Sequence, residues 1–167
     1  MNSNCEIRET SRCDFENILS LWNNGAVMSF VGFPDGLGYT LEKLEDWLTW
    51  VMNKPSRCHY SIYNKEIGYC GETFYDVDAE TGTSALDIKL LPMAQGKGIA
   101  KTALEFVINK AFDEGNAERV YVDPHPDNHK AWTLYGKLGF ISKPRPKYLE
   151  DYDTYLEITK DEWSRRT

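Results

Sequence analysis

The amino-acid sequence predicts an α/β (α+β) fold: a mixed, largely antiparallel sheet of six to seven strands, flanked by about four helices. Three observations support this prediction. A central stretch has a hydrophobic period of two, the segments on both sides have the helical period of 3.6 residues, and a glycine-rich turn joins the central stretch to the second helical region. The element order is βααβββαβαββ with one crossover, and the length of 167 residues predicts a single domain over residues 1–167.

The first third of the chain is predicted to form one strand and two helices. A short strand lies near residues 5–8, and Ser11 can cap a helix with apolar residues at i, i+3, i+4 and i+7: Phe15, Ile18, Leu19 and Trp22. Residues 23–39 combine glycines and a proline with aromatic residues, which predicts an irregular loop. Thr40 then caps a second amphipathic helix, which carries Leu41, Leu44, Trp47, Leu48 and Val51.

The middle of the chain is predicted to form an antiparallel meander. The hydrophobic period shortens to two after about residue 58, and three strands are expected at 59–63, 66–76 and 84–91. A turn signal at residues 80–82 separates the second strand from the third. Successive strands with short connections favour antiparallel pairing.

The last third is predicted to alternate helices and strands. After the glycine-rich turn, a helix that ends near Gly115 carries an apolar face made of Ala100, Leu104, Val107, Ile108, Ala111 and Phe112. A short strand at 119–123 follows, and then an amphipathic helix at 128–138. Two final strands are expected at residues 140–143 and 154–159.

Composition and motif spacing exclude several classes of function. Lys and Arg number 19 against 26 Asp and Glu, and a net charge of −7 argues against a nucleic-acid binder. No apolar run approaches the ~18 residues of a membrane span, and the N-terminus lacks signal-peptide features, so we expect a cytoplasmic protein without a membrane partner. We expect no metal, because neither a CxxC pair nor an HExxH motif occurs among Cys5, Cys13, Cys58, Cys70, His59, His125 and His129.

The glycine-rich turn between strand and helix is the most informative stretch. Glycines let the backbone approach a ligand closely, and the free N–H groups at a helix start favour a phosphate or pyrophosphate. A plain tight turn is the alternative. The residue spacing in this turn matches neither the dinucleotide-binding fingerprint nor the P-loop motif. The residues that we expect to bind the anion and its carrier are Leu90, Leu91, Gln95, Gly96, Lys97, Gly98, Ile99, Ala100 and Lys101.

Two segments resemble motifs of one enzyme family. Gln95-x-x-Gly98-x-Ala100 is similar to the acyl-CoA signature Q/R-x-x-G-x-G/A of the GNAT (Gcn5-related) N-acetyltransferases. The later run with Asn128, Ala131, Leu134-Tyr135, Lys137 and Gly139-Phe140 resembles the family segment N-x-x-A-x-x-L-Y-x-K-x-G-F. The resemblance covers about residues 66–145.

This resemblance implies a splayed sheet and acetyl-CoA as co-substrate. The strand 86–91 would pair with the pantetheine arm, and backbone amides of residues 95–101 would hold the pyrophosphate. Asn128 would contact the pantetheine or acyl end, with a helix N-cap as its alternative. Tyr135 would protonate the departing CoA thiolate, because a phenol with a pKa of about 10 keeps its proton at neutral pH. A core tyrosine is the alternative for Tyr135.

A base must take a proton from the attacking amine. A lysine-like amine has a pKa of about 10.4, so deprotonating it at pH 7 costs about 4–5 kcal/mol. Asp87 is the favoured candidate, because a carboxylate in a strand covered on both faces is costly unless it is paired or used. Its alternative is an ion pair with Lys89. Glu72 on the preceding strand is the second candidate, with a solvated strand residue as its alternative.

Three carboxylates are candidates for binding the acceptor: Asp87, Asp123 and Glu72. Asp123 ends a strand at the edge where such sheets bind ligands, and a turn-capping role before Pro124 is its alternative. The pairs Leu86-Asp87 and Asp123-Pro124 resemble positions where aminoglycoside 6'-N-acetyltransferases place acidic residues that hold a cationic acceptor. Further carboxylates on the meander favour a polyamine, an aminoglycoside or a basic peptide end, or they form a solvated hairpin.

The sequence therefore predicts an acetyl-CoA-dependent N-acetyltransferase that transfers acetyl directly to a primary amine. The acceptor is expected to be a small molecule or a peptide, and the protein a monomer or homodimer. A catalytically idle acyl-CoA sensor or interaction module is the alternative from another functional class. The combined presence of Tyr135, Asn128 and the turn 95–100 favours the enzyme.

Overall fold

A single sheet organises the residues that the computed structural model describes, 4–166. Within them, seven strands lie in the order β1-β2-β3-β4-β5-β7-β6. Neighbouring strands are antiparallel except for β4 and β5, which are parallel, as the predicted crossover requires. The strands are β1 (Cys5–Glu9), β2 (Arg57–Asn64), β3 (Gly68–Asp78), β4 (Thr83–Leu90), β5 (Arg119–Val122), β6 (Ile141–Ser142) and β7 (Leu156–Thr159).

Six α-helices are present among the described residues, and the four longest correspond to those predicted. Two shorter helices were not predicted. One lies in the segment expected to be an irregular loop, and the other follows the last strand. The helices are α1 (Phe15–Trp22), α2 (Gly25–Met28), α3 (Leu41–Met52), α4 (Ile99–Asp113), α5 (His129–Leu138) and α6 (Lys160–Ser164).

The prediction of an irregular loop over 23–39 was partly wrong, because the segment contains helical turns. The Asn24 side chain accepts a hydrogen bond from the Ala26 N–H at 3.0 Å and caps α2. Met28 is buried against α1 and α3, so apolar contact holds the short helix in place. A 3₁₀ turn, Ser29–Val31, then continues into the loop.

The C-terminal helix α6 begins at a capping box that the sequence contains. The Thr159 N–H donates to Glu162 Oε2 at 2.8 Å, and the Glu162 N–H donates back to Thr159 Oγ1. Trp163 is buried, and its indole N–H donates to Asn109 Oδ1 at 2.7 Å. The spacing T-x-x-E was the available signal for this helix.

The two faces of the sheet are covered by different helices. On one face, α4 buries an apolar stripe against Tyr60, Tyr75 and Leu86; its members are Leu104, Val107, Ile108, Ala111 and Phe112. On the other face, α1 and α3 form a second core, which contains Ile18, Leu21, Trp22, Leu44 and Leu48. This second face carries the charged side chains of the site described below.

The strands β4 and β5 separate halfway along the sheet. Their parallel pairing runs from Thr83 opposite Arg119 to Ala85 opposite Tyr121, and it stops there. The second half of β4, from Leu86 to Leu90, has β3 as a neighbour but no longer pairs with β5. This confirms the splayed sheet that the family resemblance implied, and it leaves the backbone edge of β4 open to an extended ligand.

Candidate active site

The turn between β4 and α4 has the backbone of an anion-binding site. Gly96 and Gly98 adopt φ values of +75° and +78°, which L side chains rarely adopt. Gly98 is the N-cap of the 15-residue helix α4. Within the described part of the chain, no backbone or side-chain acceptor takes the N–H groups of residues 96–101. These donors, together with the partial positive charge of the helix start, fit a pyrophosphate.

The space in front of this turn is open. A Cβ atom added at Gly96 or Gly98 would meet nothing within 4 Å, so the glycines are not required by contacts inside the protein. The Gln95 side-chain amide donates to the Leu90 carbonyl at 3.2 Å and ties the turn to the end of β4. The residues present thus fit the CoA moiety: the turn would hold its pyrophosphate, and the open edge of β4 would hold its pantetheine arm.

Helix α5, together with its N-cap, carries the two residues of the second predicted motif, Asn128 and Tyr135. Asn128 Oδ1 accepts from the Ala131 N–H at 3.2 Å, so the N-cap role is confirmed. None of the described residues accepts a hydrogen bond from its side-chain nitrogen, which leaves that donor for a ligand. A contact between Asn128 and the pantetheine stays a prediction.

Tyr135 is buried on α5, with 6% of its surface exposed, and its ring packs beside that of Phe140. Its hydroxyl has no hydrogen-bond partner among residues 4–166. Burial raises the pKa of Tyr135, and the charges of Asp87 and Asp123 raise it further. The phenol therefore stays protonated at neutral pH and can act as a proton donor.

Asp87 reaches the same region from β4. Its Oδ1 accepts from the Ile88 N–H at 2.7 Å, and its Oδ2 contacts the Lys89 ammonium. The Asp87–Lys89 ion pair, which was the alternative to a role as base, is therefore present. The Asp87 side chain remains 32% exposed, so the pair leaves it accessible to a third group.

Asp123 follows the end of β5, and a residue that the sequence did not single out holds it there. The guanidinium of Arg145 donates to Asp123 Oδ2 at 3.2 Å and to the Thr154 carbonyl at 3.1 Å. The Asp123 side chain is 39% exposed. No sequence signal linked Arg145 to Asp123, because 22 residues separate them and no periodic pattern connects them.

Glu72 is buried, with 2% of its surface exposed, so its solvated alternative was wrong. The Trp22 indole donates to Oε1 at 2.7 Å, the Lys89 ammonium lies 3.4 Å from Oε1, and His59 Nε2 lies 3.1 Å from Oε2. Burial by itself raises the pKa of Glu72, but the charges of His59 and Lys89 and the surrounding hydrogen bonds outweigh it and lower the pKa to about 2.

The acidic surface expected on the meander is partly neutralised. Asp76 contacts the Lys54 ammonium and accepts from Arg57 at 2.8 Å, and Asp87 is paired with Lys89. These ion pairs lie on the same face of the sheet as Glu72. The carboxylates of this face are therefore organised by fixed cations rather than left as one acidic patch.

The histidine, cysteine and carboxylate side chains of the described residues do not form a metal site. No group of three or more His, Cys, Asp or Glu side chains in residues 4–166 could hold a metal ion. The cysteines are unpaired thiols, and Cys70 is buried. None of the described helices is both long and apolar enough to cross a membrane.

Comparisons with known proteins agree with this geometry. A family model described as an acetyltransferase (GNAT) domain matches residues 5–141. Spermidine N(1)-acetyltransferase of Vibrio cholerae serotype O1 is 24% identical over 144 residues, which cover 86% of this chain and 82% of that protein.

Solved structures of a similar protein share the fold. The crystal structure of spermidine N-acetyltransferase from Vibrio cholerae in complex with CoA and spermine has a TM-score of 0.83 at 20% identity, covering 98% of this chain and 99% of that one. A dodecameric structure of spermidine N-acetyltransferase from the same organism has a TM-score of 0.77 at 20% identity, covering 99% of both chains.

The family match spans most of the chain, including the glycine-rich turn and the motif on α5. It confirms the predicted enzyme class, with acetyl-CoA as the co-substrate and an amine as the acceptor. The chain belongs to the GNAT family of acetyltransferases and is an acetyl-CoA-dependent N-acetyltransferase.

Proposed function

We propose that the acceptor is a small aliphatic polycation of the polyamine type. One observation carries the proposal: Asp87 on β4 and Asp123 just after β5 converge from separate segments, and the charges of both act on the Tyr135 hydroxyl. Two carboxylates beside a proton donor suit a positively charged amine that must lie next to the reacting bond. The net charge of −7 and the spermidine acetyltransferases among its relatives support the same acceptor class.

In this proposal Asp87 takes the proton of the attacking amine, directly or through water. Its side chain is 32% exposed, and the Lys89 ammonium contacts its Oδ2. Asp123 holds a second part of the cationic acceptor, while Arg145 keeps the Asp123 carboxylate in place. A base is needed because the free amine is a minor species at pH 7.

Tyr135 acts as the general acid in this proposal. When bound, acetyl-CoA supplies the acetyl group as a thioester, and a thiolate leaves as the amide forms. The Tyr135 hydroxyl then donates its proton to that sulfur. Its raised pKa keeps the proton in place until the thiolate appears, and the absence of a protein partner among the described residues leaves the hydroxyl available.

The contacts of Glu72 favour Asp87 as the base. Glu72 is enclosed by Trp22, His59 and Lys89, and a carboxylate with a pKa near 2 is a weak proton acceptor.

An acceptor panel tests the proposal. CoA release is measured with four acceptors: spermidine, a basic peptide, an aminoglycoside and an arylalkylamine that carries no charge besides the reacting amine. We expect spermidine to give the highest kcat/KM. Asp123→Asn should raise the KM for spermidine about tenfold, while the KM for acetyl-CoA stays the same. Asp113→Asn is the matched control, because this exposed carboxylate lies at the end of α4. A higher kcat/KM for any other class would contradict the proposal.

A further inference from the structure

The ammonium of Lys89 is shared by two carboxylates on one face of the sheet. It contacts Oδ2 of Asp87 and lies 3.4 Å from Oε1 of Glu72. Glu72 is the partner of Lys89 in the register of β3 and β4, and Asp87 lies two residues before Lys89 on β4. Side chains at these positions point to the same face. Within the described chain, Lys89 is the one lysine or arginine that contacts either carboxylate.

This charge cluster of Asp87, Lys89 and Glu72 runs from an exposed end to a buried end. The exposed fraction of the side chain is 32% for Asp87, 14% for Lys89 and 2% for Glu72. Burial by itself lowers the pKa of Lys89, but the charges of Asp87 and Glu72 outweigh it and raise that pKa above its usual range. Lys89 therefore keeps its positive charge and cannot take a proton from the acceptor.

The charge balance of the cluster determines how much negative charge remains at Asp87. An ammonium that paired with Asp87 alone would cancel the charge that attracts a cationic amine and accepts its proton. Glu72 attracts the same ammonium from the buried side, and it is ionised at neutral pH, because its pKa is about 2. With His59 neutral, the cluster keeps one negative charge in excess, and Asp87 is its exposed carboxylate.

The other charged side chains near the cluster have partners of their own. Arg57 lines the same cavity as Glu72, but it donates to Asp76 at 2.8 Å. Lys54 also contacts Asp76. His59 Nε2 lies 3.1 Å from Glu72 Oε2 and is charged only if protonated. The two carboxylates of the cluster therefore depend on one shared ammonium.

We propose that Glu72 is a positioning residue, which acts on Asp87 through Lys89. Lys89 holds one oxygen of the Asp87 carboxylate, and Glu72 shares the ammonium so that it does not neutralise that carboxylate. Glu72 in this role touches neither the acceptor nor the reacting atoms. The inference rests on the proposed function, since it takes Asp87 as the base.

Two variants test the path from Glu72 to Asp87: Glu72→Gln and the double variant Glu72→Gln with Lys89→Met. Glutamine keeps an acceptor for the Trp22 indole but leaves Lys89 to pair with Asp87 alone, so kcat should fall about tenfold. The KM for acetyl-CoA should stay the same. The double variant removes the unbalanced cation as well, and its kcat should return to within about threefold of the unmodified protein.

The recovery separates this role from the alternatives. If Glu72 were the base, or only stabilised the fold, the second substitution could not restore kcat. An unchanged kcat in Glu72→Gln, or a double variant as slow as Glu72→Gln, would therefore overturn the inference. The double variant contains no unpaired charge of the cluster's buried end, and replacing a buried ion pair by neutral groups is often neutral for stability. It therefore still tests the inference if Glu72→Gln alone does not fold.

The acceptor in these assays is spermidine, or the amine with the highest kcat/KM in the panel above. Glu157→Gln is the matched control, because Glu157 is a buried carboxylate on β7 that contacts the Lys143 ammonium at 2.8 Å, and its kcat should be unchanged. In an Asp87→Asn background, Glu72→Gln should cause no further loss of kcat. If Asp87→Asn alone leaves kcat unchanged, the proposed base is wrong and the inference fails with it. A loss in Asp87→Asn without a loss in Glu72→Gln overturns the inference alone.

Discussion

The two halves of the proposed active site are built from different parts of the chain. The co-substrate side uses the backbone of one continuous segment, in which two glycines of positive φ turn free N–H groups toward open space at the start of α4. The acceptor side uses side chains that come from β3, β4, α5 and the segments after β5 and β6.

This difference predicts how amino-acid substitutions in each half affect binding and catalysis. A backbone site depends on local φ and ψ values, and few side chains alter it. A side-chain site depends on ion pairs such as Asp87–Lys89 and Asp123–Arg145, so single substitutions can change rate and specificity. Substitutions on the acceptor side should therefore affect the amine and the chemistry, and substitutions in the turn should affect CoA alone.

The largest effect is expected from Asp87→Asn. Removing the base should lower kcat roughly 10²- to 10⁴-fold, because the amine must then lose its proton to solvent. The loss should become smaller as pH rises and free amine accumulates. Steady-state kinetics from pH 7 to 10 measures both effects. A raised KM with an unchanged kcat would instead assign Asp87 to binding only.

Tyr135→Phe should have the next largest effect. The ring still packs beside Phe140, so the melting temperature and the CoA affinity should stay close to those of the unmodified protein. The proton donor is lost, and the acetyl-transfer step should slow roughly 10²-fold. Single-turnover kinetics separates this step from product release. An unchanged transfer rate would return Tyr135 to the role of a core tyrosine.

The buried Glu72 should make the acceptor side sensitive to acid. Its pKa falls from 4.5 in the unfolded chain to about 2 in the folded protein, so its ionised form stabilises the fold above pH 4.5. That stabilisation, about 3 kcal/mol, should be lost as pH falls toward 2. Denaturant unfolding of the protein and of Glu72→Gln between pH 6 and 2 measures it. The difference in free energy of unfolding should shrink on acidification, and a constant difference would contradict the assignment.

The smallest effect is expected from Gly98→Ala in the turn. The added Cβ meets no protein atom, but it strains a residue with φ of +78° and points the N–H groups away from the pyrophosphate. We expect about tenfold weaker CoA binding by calorimetry and an unchanged KM for the amine. Gly68→Ala is the matched control, because Gly68 has a φ of +82° and equally open surroundings but is the first residue of β3. Equal CoA affinity in both variants would remove the turn from the binding site.

Most of the fold could be predicted because its signals are local. The hydrophobic periods and the helix caps of the sequence predicted the positions of helices α3, α4 and α5 and of the meander β2–β4. The observed ends differ by a few residues. The helix α6 also had a local signal, the capping box at Thr159. The single domain and the monomeric or dimeric state stay predictions.

The sequence by itself determined the backbone of the proposed co-substrate side. The spacing of Gly96 and Gly98 before an amphipathic helix requires a backbone that L side chains disfavour, and that requirement is visible in one continuous segment. The sequence also named Asp87, Glu72, Asp123 and Tyr135 as candidates. It did not indicate which of these side chains are exposed or what contacts them.

Only the tertiary structure decided how the carboxylates differ. Glu72 and Asp87 sit on adjacent strands, yet Glu72 is enclosed by Trp22 and His59, which are 50 and 13 residues away in the chain. Burial and charge depend on which distant segments pack over a residue, and no local pattern encodes that packing. A carboxylate therefore becomes an accessible base candidate at one position and a buried, ion-paired group at the other.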